Sequence, residues 1–258
     1  MRADELLTPR VRVGCEGTAC CGQGKELPGA GNVLVEGRAL STTGTAEEGN
    51  DLTRKDNMDT VTTEIPTIPG MPFAGGFFAG LINQADGIYA IIVAPKSEGE
   101  HPDAPWGKAK RIADALSFFD GLANTEAMAA AGNKLAAWAR GLRIGDFDDW
   151  HIPARDELEL AYRNLKPTVD ANYCWRGDNP SSVPPGYAYM TDSPAQTKSE
   201  IFREGGTEAF RSAWYWTSTQ SAGLVDYAWA QLFTNGGQND NRKDGKYRAR
   251  AVRRVKVQ

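Results

Sequence analysis

The chain has 258 residues, enough for one large domain or two smaller ones, and long enough to bury a core without help from metals or disulfides. Lys and Arg number 29 against 33 Asp and Glu, for a net charge of −4, which argues against nucleic acid or an anionic membrane as a bulk electrostatic partner. The 28 glycines, about 11% of the chain against a usual 7%, favour turns and irregular loops over helical bundles.

All 24 aromatic residues lie at Phe73 or later. Aromatic side chains supply the largest buried areas of a core. The first 72 residues, rich in Gly, Thr, Glu and Asp, have only short apolar runs such as Val11-Arg12-Val13 and Val33-Leu34-Val35. This stretch reads as short strands and an extended arm that gains order against other subunits or another protein; a floppy leader is the alternative. Met1-Arg2-Ala3-Asp4-Glu5 places acids where a signal peptide would carry an apolar core, so no targeting segment is expected. The most apolar window, Phe73 to Pro95, is broken by Gly75, Gly76, Asn83, Gln84 and Asp86, so a soluble protein with no membrane insertion is expected.

From Gly70 onward the elements read as follows. Leu81 to Asn83 and Ile88 to Val93 flank Gln84-Ala85-Asp86-Gly87, an Asp-Gly hairpin signal. Trp106, Ile112, Ala113, Leu116 and Phe119 fall at helical spacing and predict a helix over 106–119. A second helix is expected from about Thr125, as cap, to Arg140, and a third from Arg155 to Leu165, after Pro153 and before Pro167. Residues 166–200 read as loop. Strands are expected over 213–218, 227–233 and 247–257, with a polar loop over 234–246. This order implies an α+β domain.

Candidate chemistry is sparse. Cys15, Cys20 and Cys21 lack nearby histidine partners, so buried or free thiols, or an intersubunit disulfide, are better readings than zinc. Gly22-Gln23-Gly24-Lys25 fails the phosphate-loop pattern at Ala19 and Glu26. His151, between Trp150 and Ile152, is expected to pack or cap. Asp146, Asp148 and Asp149 read as a solvated turn rather than a calcium loop. No catalytic motif, metal or cofactor is expected. The basic end places Arg248, Arg250, Arg254 and Lys256 on one strand parity, expected to pair with carboxylates rather than nucleic acid. The segment Thr234 to Asn241 is dense in amides and small residues, the composition of adaptable hydrogen-bonding surfaces.

Asp149-Trp150-His151-Ile152-Pro153-Ala154-Arg155-Asp156-Glu157-Leu158 resembles the DWRLPTRDEL element of the DUF1566 family. Trp214 to Gln220, Ala228-Trp229 and Arg248 to Arg254 resemble that family's C-terminal signature, and stretches 91–100 and 176–182 are similar to its phage-type members. The resemblance covers residues 70–258. It implies a C-type-lectin-like domain there; residues 1–69 lie outside it and, from their composition, are expected to be a β-rich or extended attachment and oligomerisation arm. It implies a bacteriophage tail-fibre receptor-binding protein, in the virion, that presents its C-terminal surface to a bacterial cell-surface receptor (protein or glycan). A homotrimer attached to other tail proteins through the arm is the expected assembly.

The C-terminal stretch also looks like the variable region of proteins diversified by retroelements. By that likeness Phe233, Gly236, Gln238, Lys243, Arg248 and Arg250 are framework positions. Gly237, Asn239, Asp240, Asn241, Arg242, Asp244, Gly245 and Tyr247 are expected to face a ligand, with Gln220, Tyr227, Gln231 and Asn235. Trp150, Trp214, Trp216 and Trp229 are expected in the core. The calcium-and-sugar elements of animal lectins are absent, so that chemistry is not carried over. Two other readings stay open: a structural tail or baseplate component making only protein contacts, and an enzyme of the formylglycine-generating type, for which Cys174 is the single cysteine of the aromatic domain.

Overall fold

The computed structural model describes residues 64–175 and 177–257. Readings that fall on the earlier residues, including Cys15, Cys20 and Cys21, lie outside the described residues. The architecture is α+β. It opens with β1 (Pro72–Phe73), β2 (Gly76–Gln84) and β3 (Gly87–Val93), then a helical turn α1 (Lys96–Gly99) and β4 (Glu100–Pro105). Helices α2 (Gly121–Ala130), α3 (Lys134–Gly141) and α4 (Arg155–Leu165) follow. After a long irregular stretch holding β5 (Ser182–Val183) come β6 (Trp214–Gln220), β7 (Tyr227–Leu232), β8 (Gln238–Arg242), β9 (Lys246–Arg250) and β10 (Val252–Lys256).

The strands form two sheets. One runs β1-β2-β3-β10, with β5 added on β2; the other runs β4-β9-β6-β7-β8. All described strand pairs are antiparallel except β6 with β9, which meet in parallel at Tyr215 and Arg248. The 81–93 hairpin forms as expected, but its turn centres on Ala85-Asp86, because Gln84 pairs with Gly87.

Helix α4 has the expected bounds. Glu157 Oε2 accepts the Ala154 N–H at 2.8 Å, which satisfies an otherwise orphaned donor at the helix start. The helix buries Leu158, Leu160, Tyr162 and Leu165 against Ile82, Ile91 and Val93 of the first sheet and Tyr215 of the second, with Phe202, Phe210 and Phe233 completing the cluster. Phe210 and Phe233 stack with ring centroids 4.0 Å apart.

Five expectations are corrected. Residues 106–119 form no helix: their backbone bonds outward to the end of β6 instead. Gln220 N donates to Ala115 O, the Thr219 hydroxyl to Ser117 O, and the Gln220 side-chain oxygen accepts from Ile112 N. The helix expected over 125–140 starts earlier and is two helices, broken at Gly132 (φ +75°) and restarted by Asn133, whose Oδ1 accepts the Ala136 N–H at 3.0 Å. Thr125 is no cap; its hydroxyl donates to Gly121 O inside α2. The strand expected over 247–257 is two strands in different sheets, separated at Ala251, and the expected 234–246 loop contains β8.

The basic end pairs with carboxylates as expected. Arg248 meets Glu100 at 2.7 Å, Arg254 meets Asp120 at 2.9 Å and Lys256 meets Asp86 at 2.9 Å. Arg250 is fully buried, bonded to Glu208 at 2.7 Å, Glu100 at 3.2 Å and the Ala94 carbonyl at 2.7 Å. Removing one member of a buried ion network strands the others. Arg250→Ala is therefore expected to cost about 3–5 kcal/mol, and Lys256→Ala, at an exposed pair, far less, by urea unfolding of both variants.

Candidate functional site

Strands β7 and β8 form a hairpin in register from Tyr227 opposite Arg242 to Gln231 opposite Gln238. Its closing turn needs glycine at 236: φ is +78°, and a Cβ there would lie 2.4 Å from the Tyr162 ring. A chain of side-chain bonds runs beneath the hairpin. Arg155 donates to Gln238 Oε1 at 2.9 and 2.7 Å; Gln238 Nε2 donates to Gln231 Oε1 at 2.7 Å; Gln231 Nε2 donates to the Gly236 carbonyl at 2.7 Å. The Arg155 guanidinium sits 4.7 Å from the Phe118 ring centroid and 4.8 Å from that of Trp229. Such contacts add attraction beyond the hydrogen bonds.

A second anchor holds the β8–β9 turn. Lys243 is buried, and its ammonium donates to Lys110 O at 2.9 Å, Val225 O at 2.8 Å and Gln220 Oε1 at 3.0 Å. Burial, with Arg111 nearby, pushes its pKa down to about 8.

The expected ligand-facing residues divide on this frame. Asn239, Arg242 and Asp244 are exposed; Tyr227, Asn235, Asp240, Asn241, Gly245 and Tyr247 are half-buried. Arg242 lies between Asp226 at 3.3 Å and Asp244 at 3.1 Å, and Asp240 accepts from the Ser221 hydroxyl at 2.8 Å. By the strand alternation Asp240 and Arg242 lie on the same face of β8 as Gln238, opposite Trp229 and Tyr227, while Asn239 and Asn241 lie on the other face, opposite Ala230 and Ala228. Gln220, Gln231 and Gly237 are corrected: all three are buried, and both Gln side chains are committed to protein partners. Tyr247 packs on Trp216 with centroids 4.5 Å apart and on Trp214 at 6.1 Å, so it supports the sheet as well as edging the surface. The framework positions Phe233, Gly236, Gln238, Lys243 and Arg250 are buried, and Arg248 is half-buried. Trp150 and Trp216 are core, whereas Trp214 and Trp229 are half-buried.

The 149–158 motif is the brace behind the surface. Asp149 pairs with Arg253 at 2.6 Å, Trp150 is fully buried, and His151 exchanges both backbone hydrogen bonds with Val252. The His151 ring is buried, with Nε2 3.5 Å from Glu157 and Nδ1 3.3 Å from the Asp149 carbonyl, which fits the packing role expected of it. Sequence reasoning named Arg155 only within the motif and gave it no role; its contacts with Gln238, and with Phe118 and Trp229, whose rings meet edge to face at 6.1 Å, come together only in the fold. Asp156, buried on α4, accepts from the Ser181 hydroxyl at 2.6 Å, and burial pushes its pKa up to about 6. Cys174 is exposed. Among the described residues no group of three or more His, Cys, Asp or Glu could hold a metal ion, and no helix is long and apolar enough to cross a membrane.

These features belong to a known class of C-terminal domain. The Lcl C-terminal domain family matches residues 105–253, more than half of the chain and all of the hairpin, turn and brace. The chain belongs to the Lcl C-terminal domain family, which is related to the DUF1566 family. No curated protein matches its sequence.

The separation of frame from surface predicts unequal costs. Gln231→Ala leaves the Gly236 carbonyl and the Gln238 amide without their partner and is expected to cost about 1–3 kcal/mol. Asn239→Ala should stay within about 0.5 kcal/mol; urea midpoints of the two variants check this. A second expectation concerns pH. Asp156 has a folded pKa raised above its unfolded value, so the folded state binds the extra proton between about pH 4 and 6. Its contribution to stability is present below that window and is lost as pH rises through it. Asp156→Asn should remove this dependence and unfold at higher urea than the parent at pH 7.5, with the difference shrinking toward pH 4.

Proposed function

We propose that this chain is a receptor-binding protein of the phage tail-fibre type, an adhesin-like protein whose C-type-lectin-like domain presents the β7–β8 hairpin and β8–β9 turn to a bacterial envelope molecule. One observation carries the reading: within residues 238–244 the buried Gln238 and Lys243 are locked to protein partners, while Asn239, Arg242 and Asp244 between and beside them are exposed. A rigid frame that displays polar side chains is the arrangement of a paratope. Membership in the Lcl C-terminal domain family supports a surface-acting domain. In this reading the protein is a binder rather than an enzyme, and it needs no cofactor. Polar faces of this size bind weakly one at a time, so a homotrimer, held with other tail proteins by the N-terminal arm, would raise the effective concentration.

The test is adsorption of labelled full-length protein to a panel of bacterial envelopes, with and without chelator, beside a variant carrying Asn239→Ala, Asn241→Ala, Arg242→Ala and Asp244→Ala. Tyr247 is left intact because of its packing on Trp214 and Trp216. Saturable, chelator-resistant binding that falls at least about tenfold in the variant, a loss of about 1.4 kcal/mol, is the expected result. Equal binding by parent and variant would overturn the reading.

A further inference from the structure

A separate cavity of about 300 Å³ opens between the end of β4 and the link from α2 to α3. Its accessible apolar lining comes from Pro105, Ala131 and Gly132, with Trp106, Ile112 and Leu135 buried behind them. Lys108, Lys110 and Lys134 stand at its walls, all exposed. Among the described residues none of the three lysines has a carboxylate partner, and no carboxylate lines the cavity. The nearest recorded partner of the Lys110 ammonium is the Ala131 carbonyl, at 3.5 Å.

The walls are fixed. Asn133 donates to the Trp106 carbonyl at 2.7 Å while its oxygen caps α3, so one side chain ties β4 to the helix start. Gly107 N donates to Lys243 O at 3.1 Å, which ties the same segment to the β8–β9 turn. Lys134 and Leu135 are the first residues of α3, so their amides have no carbonyl within the helix to bond. Partial positive charge at a helix start adds to that of the lysines.

A preformed concavity with an apolar floor and a few convergent polar groups is the ordinary form of a small-molecule site. Here every charge that meets it is positive, in a protein of net charge −4. We propose that this cavity binds a small organic acid, a carboxylate carried on a branched aliphatic or aromatic body. The body lies on the floor against Pro105, Ala131 and Gly132, and the carboxylate meets the lysines. A bare inorganic anion would leave the floor empty, and a neutral body would leave the lysines unmatched. The acid can be a free metabolite-sized molecule or the last residue of a peptide; the chemistry is the same. The proposal is independent of the receptor-binding reading, since the cavity shares none of the exposed hairpin residues.

The test is protection of lysines in the full chain from an amine-acylating reagent, read by peptide mass spectrometry. The probes are N-acetyl-leucine, N-acetyl-leucinamide, inorganic phosphate and a short peptide ending in leucine. N-acetyl-leucine is expected to slow acylation of Lys110 and Lys134 several-fold and to leave Lys246 and Lys256 unchanged, while the amide and phosphate protect neither. Protection by the peptide as well assigns the site to chain ends; its absence assigns it to free acids. In a Lys110→Ala and Lys134→Ala variant, both positions being exposed, N-acetyl-leucine should no longer protect Lys108. No protection by N-acetyl-leucine, equal protection by the amide or by phosphate, or uniform protection of all lysines would overturn the proposal.

Discussion

One short segment, residues 246–256, belongs to both sheets. As β9 it joins β4 and β6; after one intervening residue, as β10, it closes on β3. Between them Ala251 exchanges its backbone groups with Gly99 and Ala94, at 2.8 and 3.0 Å, so the crossing point is itself fully bonded. Arg250 stands at the same point, and its guanidinium gathers Glu100 from β4, Glu208 from the long loop and the carbonyl that follows β3. Everything that positions the candidate surface inherits its place from this crossing. β9 sets β6, β6 sets β7, and β7 sets β8. The 149–158 motif docks on the same segment through His151–Val252 and Asp149–Arg253, and then offers Arg155 to the underside of the hairpin.

The sequence made some of this legible and hid the rest for physical reasons. Helix α4 could be read because its signals are local: proline before and after, acids in the first turn, and apolar residues on one face. The hairpin at 84–87 was legible for the same reason. The expected helix over 106–119 failed because its apolar spacing reflects burial of Trp106, Ile112 and Ala115 on an irregular path, and the bonds that hold that path come from residues 217–220, about a hundred positions away. Strand β8 was hidden by its composition, since Gln-Asn-Asp-Asn-Arg has no apolar alternation and its pairing with β7 is visible only in three dimensions. The basic parity was right about charge pairing but silent on the break at Ala251. The resemblance located the candidate surface, yet placed Gln220 and Gln231 on it, where burial puts both in the frame.

The charge pattern shows what the basic end meets, with eight basic residues in the last seventeen. Arg248, Arg250, Arg253, Arg254 and Lys256 each meet a carboxylate, and those carboxylates come from Glu100, Glu208, Asp149, Asp120 and Asp86, scattered through the earlier chain. The basic end is thus a set of fasteners for the chain terminus. Buried pairs such as Arg250 with Glu100 and Glu208 contribute little net stability against an apolar alternative, but their geometry penalises a strand that slips by one residue.

The same trade explains a polar frame beneath a polar surface. An apolar underside to β8 would bind the hairpin to the core through non-directional contacts, and these tolerate shifts in register. The Arg155–Gln238–Gln231–Gly236 relay tolerates none, because each displaced group would be left buried and unpaired. Once the backbone of the hairpin is fixed by such bonds, the exposed side chains along it carry little of the folding energy. Asn239, Arg242 and Asp244 can then change without moving the strands that hold them, so the chemistry of the surface is decoupled from the stability of the domain. That decoupling depends on the frame being satisfied from within, and Lys243, which spends its three donors on Lys110, Val225 and Gln220, closes the last part of it at the β8–β9 turn.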